Sequence, residues 1–184
     1  MPRTSRVVAV DYPHHITQRG NNRESVFFDD HDRQTYLDIL AHYSTKFKID
    51  IWAYCLMPNH VHLLAVPRES NSLARGIGMT NQTYTQHVNR KYIRTGRIWQ
   101  NRFFSCPITS EKHLWAVSRY IENNPVKAGL TMQAQEYRWS SAQHHLLGNE
   151  DALLTEGAWL SDSEIASYKK MMQQNDDQFD TKLS

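Results

Sequence analysis

Cysteine and long hydrophobic runs are both scarce in this sequence. Its 184 residues include two cysteines, Cys55 and Cys106, each within an apolar stretch. Two such thiols cannot build the disulfide framework of a small secreted domain and suit the reducing cytosol. The first apolar run, residues 7–10, is too short for a signal peptide or a membrane span. We therefore expect a cytoplasmic protein.

Acidic residues are absent between Glu69 and Glu111, although the formal net charge of the whole chain is only +2. The basic residues of this interval are Arg75, Arg90, Lys91, Arg94, Arg97 and Arg102. Its aromatic residues are Tyr84, Tyr92, Trp99, Phe103 and Phe104. Such a surface suits single-stranded nucleic acid, because cations follow phosphates and rings stack on bases. The alternative is a solvated basic helix face whose aromatic residues lie in the core.

Several catalytic motifs are missing. The sequence has no helical His-Glu-x-x-His, no Walker A motif and no Gly-x-Ser-x-Gly, and Gly76 and Gly78 lack the third glycine of a dinucleotide-binding loop. No third histidine or cysteine stands at a typical catalytic zinc spacing from the pair His60 and His62. These absences disfavour a zinc hydrolase, a P-loop NTPase and a dinucleotide-binding enzyme.

Periodicity and turn residues predict the order strand, helix, strand, strand, helix, strand. The strands are predicted at residues 15–19, 49–56, 59–66 and 98–108, and the helices at residues 30–48 and 72–92. Pro58 and Asn59 favour a tight antiparallel turn between the middle two strands. This order is the split βαβ arrangement of ferredoxin-like folds, an α+β class with helices on one face of an antiparallel sheet.

A further helix is predicted over residues 110–123, where Asn124 and Pro125 should end it. Its apolar stripe consists of Leu114, Val117 and Ile121. Tyr120 and Asn124 lie one turn apart at the edge of that stripe, so both could face one site. We expect a single domain over residues 1–160. A short helix and an acidic, mobile tail should follow over residues 161–184, the tail serving either as a solubilising end or as an autoinhibitor.

The segment His60, Val61, His62 carries the most chemical information in the sequence. Side chains two apart on a strand point to the same face, so both imidazoles should lie together, with Val61 on the other face. Two imidazoles and one amide or carboxylate oxygen can bind a divalent cation and leave positions open for phosphate oxygens. Mn²⁺ suits the nitrogens, and Mg²⁺ tolerates them when phosphate completes the site. The alternative is an inert pair on a solvent-facing strand.

Tyr120 is a candidate nucleophile. A phenol has an ordinary pKa near 10 and attacks phosphorus only if the phosphate is made electrophilic and positive charge stabilises the phenolate. A cation beside Tyr120 would do both. Taken alone, one tyrosine among nine is better explained by packing.

Five segments together are similar to one known family. Residues 57–64 (MPNHVHLL) resemble the HUH motif of the Y1 transposases, and residues 119–130 (RYIENNPVKAGL) resemble the helix that carries their nucleophile. Residues 15–23 (HITQRGNNR) resemble their first strand and loop, and residues 99–104 and 137–141 extend the likeness to residues 12–142. Within the family, the pattern most resembles the REP-associated tyrosine transposases, which are bacterial proteins tied to repetitive extragenic palindromes.

The resemblance implies a metal-dependent endonuclease and strand transferase that acts on hairpin-forming single-stranded DNA through a 5′-phosphotyrosine intermediate. It implies that Tyr120 is the nucleophile and that His60, His62 and Asn124 bind Mg²⁺ or Mn²⁺, with Asn123 as an alternative to Asn124. DNA contacts near the cleavage point are expected from Arg19, Asn21, Asn22 and Arg23, and phosphate contacts from the six basic residues between Glu69 and Glu111.

Three questions stay open at the level of sequence. The competing function is a protein that binds palindromic hairpins without cutting them, which would need the basic interval but neither Tyr120 nor a metal. The chain could act alone or as a homodimer, with the tyrosine and the histidines in one subunit or in two. Its expected location is the bacterial cytoplasm, at the nucleoid.

Overall fold

The computed structural model describes residues 8–155 and 159–173, and within them four strands form one antiparallel sheet. The strands are β1 (His14–Arg19), β2 (Ile49–Met57), β3 (His60–Pro67) and β4 (Phe104–Pro107). Their spatial order is β2-β3-β1-β4, so β1 separates β3 from β4. Helices follow β1 and β3 in the chain, which confirms the predicted ferredoxin-like arrangement.

Two helices, α1 (Asp30–Lys46) and α2 (Ser72–Lys91), cover one face of the sheet. The core on this face is aliphatic and aromatic, and its fully buried members include Ile16, Tyr36, Leu40, Leu63, Leu73, Ile77 and Tyr84. The carboxylate of Asp29 caps α1 by accepting a hydrogen bond from the amide of Asp32 at 2.8 Å. Such caps satisfy amides that have no partner within the helix.

Helix α3 (Glu111–Lys127) covers the opposite face of the sheet. The predicted stripe packs there, with Val117 and Ile121 fully buried against residues of β2 and β3. The predicted end before Asn124 is wrong, because the helix continues through Pro125. Proline removes only one hydrogen bond, and the ladder resumes after it, since the amide of Ala128 donates to the carbonyl of Asn124 at 3.0 Å.

Strand β4 is shorter than the predicted range 98–108. Trp99 makes an isolated bridge to Gly20, and the carbonyl of Ile98 accepts from the amide of Asn21 at 2.8 Å. Trp99 and Phe103 are buried in the core on the α1 and α2 side. Residues 98–103 form a loop beside the sheet. Their buried aromatic residues give the segment the composition of a strand, which explains the longer prediction.

The region after α3 returns to the sheet. As expected for residues 137–141, the carbonyl of Trp139 accepts from the amide of Leu56 at 2.8 Å. Helices α4 (Ala142–Leu147) and α5 (Asp162–Met172) then pack beside α3. The expected mobile tail, from residue 174 onward, lies outside the described residues. None of the helices that the structure describes combines the length and apolar character needed to cross a membrane.

A buried carboxylate ties these last helices to α3. Glu122 is fully buried and accepts hydrogen bonds from the hydroxyl of Tyr168 at 2.8 Å and from the hydroxyl of Ser141. The ring nitrogen Nδ1 of His145 lies 2.6 Å from the same carboxylate. We call these four residues the Glu122 cluster. Buried charges are stable only when they are bonded in this way, so the cluster holds α4 and α5 onto α3.

Candidate active site

His60 and His62 lie on the face of β3 that α3 covers. In the register of the sheet, His62 stands opposite Thr17 of β1 and Cys55 of β2. Val61 and Leu63 point to the other face, into the core beneath α1 and α2. The predicted alternation along this strand is therefore confirmed, and His62 is buried between sheet and helix while His60, at the start of the strand, is half-buried.

His62 is only 3% exposed and makes its closest polar contact with a third imidazole. Its Nδ1 lies 3.0 Å from Nε2 of His15, and the two rings are stacked with their centroids 5.3 Å apart. Burial, together with the neighbouring His15, His60 and Arg19, holds the pKa of His62 well below its usual value. Burial and His113 lower the pKa of His15 to about 4. Both rings are therefore neutral near pH 7.

His60 stands at the start of β3 and is less buried than His62. Its Nδ1 lies 2.6 Å from the side-chain oxygen of Asn59, and its ring centroid lies 4.9 Å from that of His62, nearly perpendicular to it. Burial and the charge of Arg19 lower the pKa of His60 to about 4, against the opposing influence of a hydrogen bond with Asn124. His60 is thus also a neutral imidazole near pH 7.

Tyr120 projects from α3 onto these rings. Its ring centroid lies 5.4 Å from that of His62 and 5.9 Å from that of His15, with edge-to-face geometry in both cases. The ammonium of Lys127, two turns later on α3, lies 5.3 Å from the centroid of the Tyr120 ring. One chain therefore brings the phenol and the imidazoles together without a second subunit.

Asn124 lies beside the same rings, whereas Asn123 does not. The side-chain nitrogen of Asn124 donates to the carbonyl of Tyr120 at 3.2 Å, and its side chain also bonds to His60. Asn123 instead lines a groove with Met132 and Met172, between α3 and α5. We call His15, His60, His62, Tyr120 and Asn124 the histidine cluster.

The donor atoms of the histidine cluster fit a divalent cation. Nδ1 of His60 lies against Asn59 and Nδ1 of His62 lies against His15, so Nε2 is the ring nitrogen with which each would bind a cation. The neutral imidazole is the form that binds metals, and the depressed pKa values keep it neutral. The amide oxygen of Asn124 adds a hard donor on the same side. This set of two nitrogens and one oxygen matches the combination predicted from sequence.

His15 is the member of the histidine cluster that sequence reasoning missed as a site residue. Its sequence signal is weak, because His15 reads only as part of the first strand. The contact appears once β1 pairs with β3, which brings His15 within hydrogen-bonding distance of a residue 47 positions away. The alternation of His15 and Thr17 on β1 would have identified it if the strand register had been known.

The loop after β1, which the sequence predicts to contact DNA, lies next to His60. The amide of Gly20 donates to the carbonyl of Asn59 at 2.8 Å, and the side chain of Asn59 donates to the carbonyl of Arg23 at 3.0 Å. These bonds fix the loop against the turn that leads into His60. The side chains of Arg19, Asn21, Asn22 and Arg23 are all exposed there.

The six basic residues predicted to hold phosphates fall into separate places. Arg97 and Arg102 are exposed and line an open pocket with Thr85 and Asn101, next to the loop after β1. Arg94 stands over the ring of Phe28, and Arg90 is exposed near the end of α2. These four cations follow one another along the chain from the last turn of α2 to the residues just before β4.

Lys91 and Arg75 stand apart from that run. The ammonium of Lys91 lies 2.6 Å from the carboxylate of Asp29 and 2.8 Å from that of Asp32. Its charge is therefore largely neutralised within the protein. Arg75 stacks on Phe47 with its guanidinium carbon 4.6 Å from the ring centroid, near the start of β2, at the end of the sheet opposite His60.

The aromatic residues of the basic interval are mostly core residues. Tyr84, Trp99 and Phe103 are buried, which supports the alternative interpretation for these three. Phe104 is 62% exposed and pairs with Thr17 in the sheet. Opposite residues of paired strands share a face, so Phe104 lies on the face of the histidine cluster. It is the exposed ring best placed to stack on a base.

Comparisons with known proteins identify the fold and the family. The family model of IS200-like transposases matches residues 9–124 of this chain, which is more than half of it. A protein of Haemophilus influenzae that is named as a REP-associated tyrosine transposase is 29% identical over 119 residues. That alignment covers 59% of this chain and 65% of the other, so it spans slightly less than two thirds of the relative's length.

A solved structure also resembles the chain. It is the structure of a REP-associated tyrosine transposase bound to a REP hairpin, with a TM-score of 0.69 and 19% sequence identity. The similarity covers 88% of this chain and 96% of that one. At this level of identity it establishes a shared fold. The resemblance stated from the sequence motifs is confirmed by these findings.

Proposed function

Because the chain belongs to the family of IS200-like transposases, we propose that it cleaves and rejoins single-stranded DNA through a covalent bond to Tyr120. The observation that carries this proposal is the position of the Tyr120 ring 5.4 Å from the ring of His62. A phenol near neutral imidazoles, which are able to bind a divalent cation, is suited to phosphoryl transfer. A purely structural tyrosine would not require this arrangement.

The proposed substrate is DNA that folds into a hairpin, as in repetitive extragenic palindromes. Support comes from the solved relative, which is bound to a REP hairpin. In this chain, the exposed loop from Arg19 to Arg23 and the pocket lined by Arg97 and Arg102 offer cations and amides close to the histidine cluster. Chromosomal DNA of this kind would be met in the bacterial cytoplasm, at the nucleoid.

We propose that His60, His62 and Asn124 hold Mg²⁺ or Mn²⁺. When bound, a divalent cation neutralises charge on the scissile phosphate and makes its phosphorus more electrophilic. Nitrogen ligands favour Mn²⁺ over Mg²⁺. For His62 to offer Nε2, its Nδ1 must carry the proton and donate to Nε2 of His15. His15 is therefore a positioning residue that fixes the tautomer of His62.

In the proposed reaction the hydroxyl oxygen of Tyr120 attacks the phosphorus of one phosphodiester. The bond from phosphorus to the 3′ oxygen breaks, which leaves a free 3′ hydroxyl and a 5′-phosphotyrosine. The phenol loses one proton and the departing 3′ oxygen gains one, so charge and protons balance. Attack by another 3′ hydroxyl on the phosphotyrosine reverses the step and joins the strands. The ammonium of Lys127 lies where it can stabilise the phenolate.

The test is incubation of a hairpin-bearing, 5′-labelled and internally labelled single strand with the full chain and Mn²⁺. A denaturing gel should show a covalent adduct with the wild type and none with Tyr120→Phe. Tyr12→Phe is the matched control, because Tyr12 is an exposed tyrosine outside the histidine cluster. It should form the adduct as the wild type does. Hairpin binding that is insensitive to chelator, without any adduct, would instead establish a protein that binds hairpins and does not cut them.

A further inference from the structure

A second group of potential metal ligands lies away from the histidine cluster. It consists of His31 and Asp32, in the first turn of α1, and His87, near the end of α2. The two helices cover the sheet face opposite the histidine cluster. We call these three residues the His31 cluster. Nothing in the proposed cleavage reaction uses them, so their proximity needs another explanation.

The spacing within the His31 cluster matches a tetrahedral metal. One donor atom from each residue lies within 4.8 Å of the other two. Nε2 of His87 lies 3.5 Å from Oδ1 of Asp32. Two ligand atoms about 2.1 Å from a zinc ion, at a tetrahedral angle, are about 3.4 Å apart. His87 and Asp32 are therefore already at the separation that two zinc ligands require. The side chain of His31 is exposed and can move to bring its ring nitrogen to the same ion.

Nε2 of His87 is a buried nitrogen that has no hydrogen-bond partner among the described residues. Although the carboxylate of Asp32 is 3.5 Å away, the contact lacks the geometry of a hydrogen bond. Buried polar atoms in proteins are nearly always bonded, so a nitrogen left in this state calls for a partner. A cation between Nε2 and the carboxylate would satisfy both atoms.

The ring of His31 is arranged to join the same cation. It lies parallel to the ring of His87, with an angle of 7° between planes and 6.0 Å between centroids. Nδ1 of His31 lies 3.1 Å from the hydroxyl of Thr35. That contact orients the ring and leaves Nε2 as a donor, which is the usual support for a histidine ligand.

We propose that the His31 cluster binds Zn²⁺ and thereby joins the start of α1 to the end of α2. Two nitrogens and one carboxylate oxygen favour zinc over Mg²⁺ or Ca²⁺, which prefer oxygen ligands. Water or another small ligand completes the tetrahedron. The role is structural and independent of the proposed cleavage at the histidine cluster.

Lys91 competes with the cation for the carboxylate. Its ammonium lies 2.8 Å from Oδ1 of Asp32, the atom assigned to zinc, and 2.6 Å from Oδ2 of Asp29. When zinc binds, Lys91 keeps its pairing with Asp29 and loses that with Asp32. Oδ2 of Asp32 still accepts from the hydroxyl of Tyr92 at 2.8 Å, so the carboxylate stays oriented. Removal of the Lys91 charge should therefore tighten zinc binding.

Co²⁺ absorption and Zn²⁺ competition test the proposal on the full chain. The wild type should show the intense visible bands of tetrahedral Co²⁺, which Zn²⁺ abolishes. His31→Ala and His87→Ala should each weaken Zn²⁺ binding by more than the roughly 10- to 100-fold that loss of a supporting residue costs. His42→Ala, an exposed histidine of the same helix, is the matched control and should bind as the wild type does. Lys91→Met should bind Zn²⁺ more tightly.

The two metal sites can be told apart with His60→Ala. This variant should keep the tetrahedral Co²⁺ bands, while His31→Ala should keep adduct formation with Mn²⁺ and a hairpin. Because His31 is exposed, its variant tests the proposal without threatening the fold. Bands that persist undiminished in both His31→Ala and His87→Ala, or that vanish in His60→Ala alone, would overturn the assignment. So would the absence of tetrahedral bands in the wild type.

Discussion

Helix α3 carries two buried polar clusters that differ in one respect. In the Glu122 cluster a carboxylate receives hydrogen bonds from Tyr168 and Ser141 and meets the ring of His145, so its charge is compensated within the protein. In the histidine cluster the ring of His62 contacts those of His15, His60 and Tyr120. The pKa of each imidazole is held below its usual range, first of all by burial. The first cluster is built around a carboxylate with three bonded partners, while the second is built from neutral imidazoles, the form of histidine that binds metals.

This difference separates a structural network from a candidate reactive one. Burying polar groups costs free energy that hydrogen bonds must offset. In the Glu122 cluster, hydrogen bonds within the protein offset that cost and join α3, α4 and α5. The histidine cluster is held by contacts between neutral rings, whose nitrogens can exchange a protein partner for a cation, as the proposed site requires.

The largest expected effect is on the free energy of unfolding, which should fall more when the Glu122 cluster is disrupted than when the histidine cluster is. His145→Ala removes one of the three partners of Glu122 and leaves a cavity, so it should lower the free energy of unfolding by about 3 kcal/mol. His62→Ala should cost less, because no charged group is left without a partner, yet it should abolish the Tyr120 adduct. Denaturant unfolding and the adduct assay measure both quantities. Equal destabilisation by the two variants would remove the distinction.

Tyr168 of the Glu122 cluster and Tyr120 of the histidine cluster should differ in the same way. Tyr168→Phe removes a donor to the carboxylate of Glu122 and should lower the free energy of unfolding by about 1 to 3 kcal/mol. Adduct yield per folded molecule should stay at the wild-type level, in contrast to Tyr120→Phe. Loss of the adduct in a fully folded Tyr168→Phe variant would show that the clusters are coupled through α3.

His15 tests whether contacts between imidazoles matter for metal binding. His15→Ala removes the partner that fixes the tautomer of His62 and should weaken Mn²⁺ binding by about 10- to 100-fold. His15→Gln keeps an acceptor and should recover part of the loss. Electron paramagnetic resonance of free Mn²⁺ measures the affinity directly, without reference to cleavage. Unchanged affinity in His15→Ala would leave His15 with a packing role only.

Phe104 tests whether the face of the histidine cluster binds bases. Phe104→Ala should weaken hairpin binding by about 1 kcal/mol, or roughly fivefold, because an exposed ring offers one stacking surface. Ile93→Ala, which removes another highly exposed apolar side chain, is the control and should bind as the wild type does. The salt dependence should be the same for all three proteins, since no charge is altered.

The smallest expected effect is on the pH dependence of stability. It concerns Asp29, whose carboxylate is exposed, in contrast to the buried carboxylate of Glu122. A hydrogen bond from Lys91 lowers the pKa of Asp29 to about 2 from its ordinary value of 3.8. Because the folded state then binds this proton less readily, the stabilisation is complete above about pH 4 and is lost as the pH falls towards 2. The free energy of unfolding of Lys91→Met should change less across that window than that of the wild type. Parallel curves would mean that the ion pair contributes nothing.

Sequence reasoning located the elements of the sheet and the face that carries His60 and His62, because alternation along a strand is a local property. It also placed Tyr120 and Asn124 together, since both lie on one helix. It missed the continuation of α3 through Pro125. Local rules penalise proline there, but Pro125 is buried, and the packing of α3 on the sheet outweighs one lost hydrogen bond.

Contacts between segments that are distant in the chain could not be predicted from the sequence. A glutamate in a polar stretch of helix reads as solvent-exposed, so Glu122 gave no sign of partners up to 46 residues away. His15 likewise needs the register of β1 against β3 before its contact with His62 can be seen. Both cases depend on pairing and packing that a local pattern does not encode.

The Glu122 cluster also affects the position that Tyr120 would have in the proposed reaction with DNA. The two residues are two positions apart on one helix, and the carboxylate fastens that helix from behind. The helix that carries the phenol is thereby fixed in position before a ligand binds. In the proposed reaction, little side-chain entropy would then be lost when DNA binds, so more of the interaction energy would be left for distorting the DNA backbone at the scissile bond.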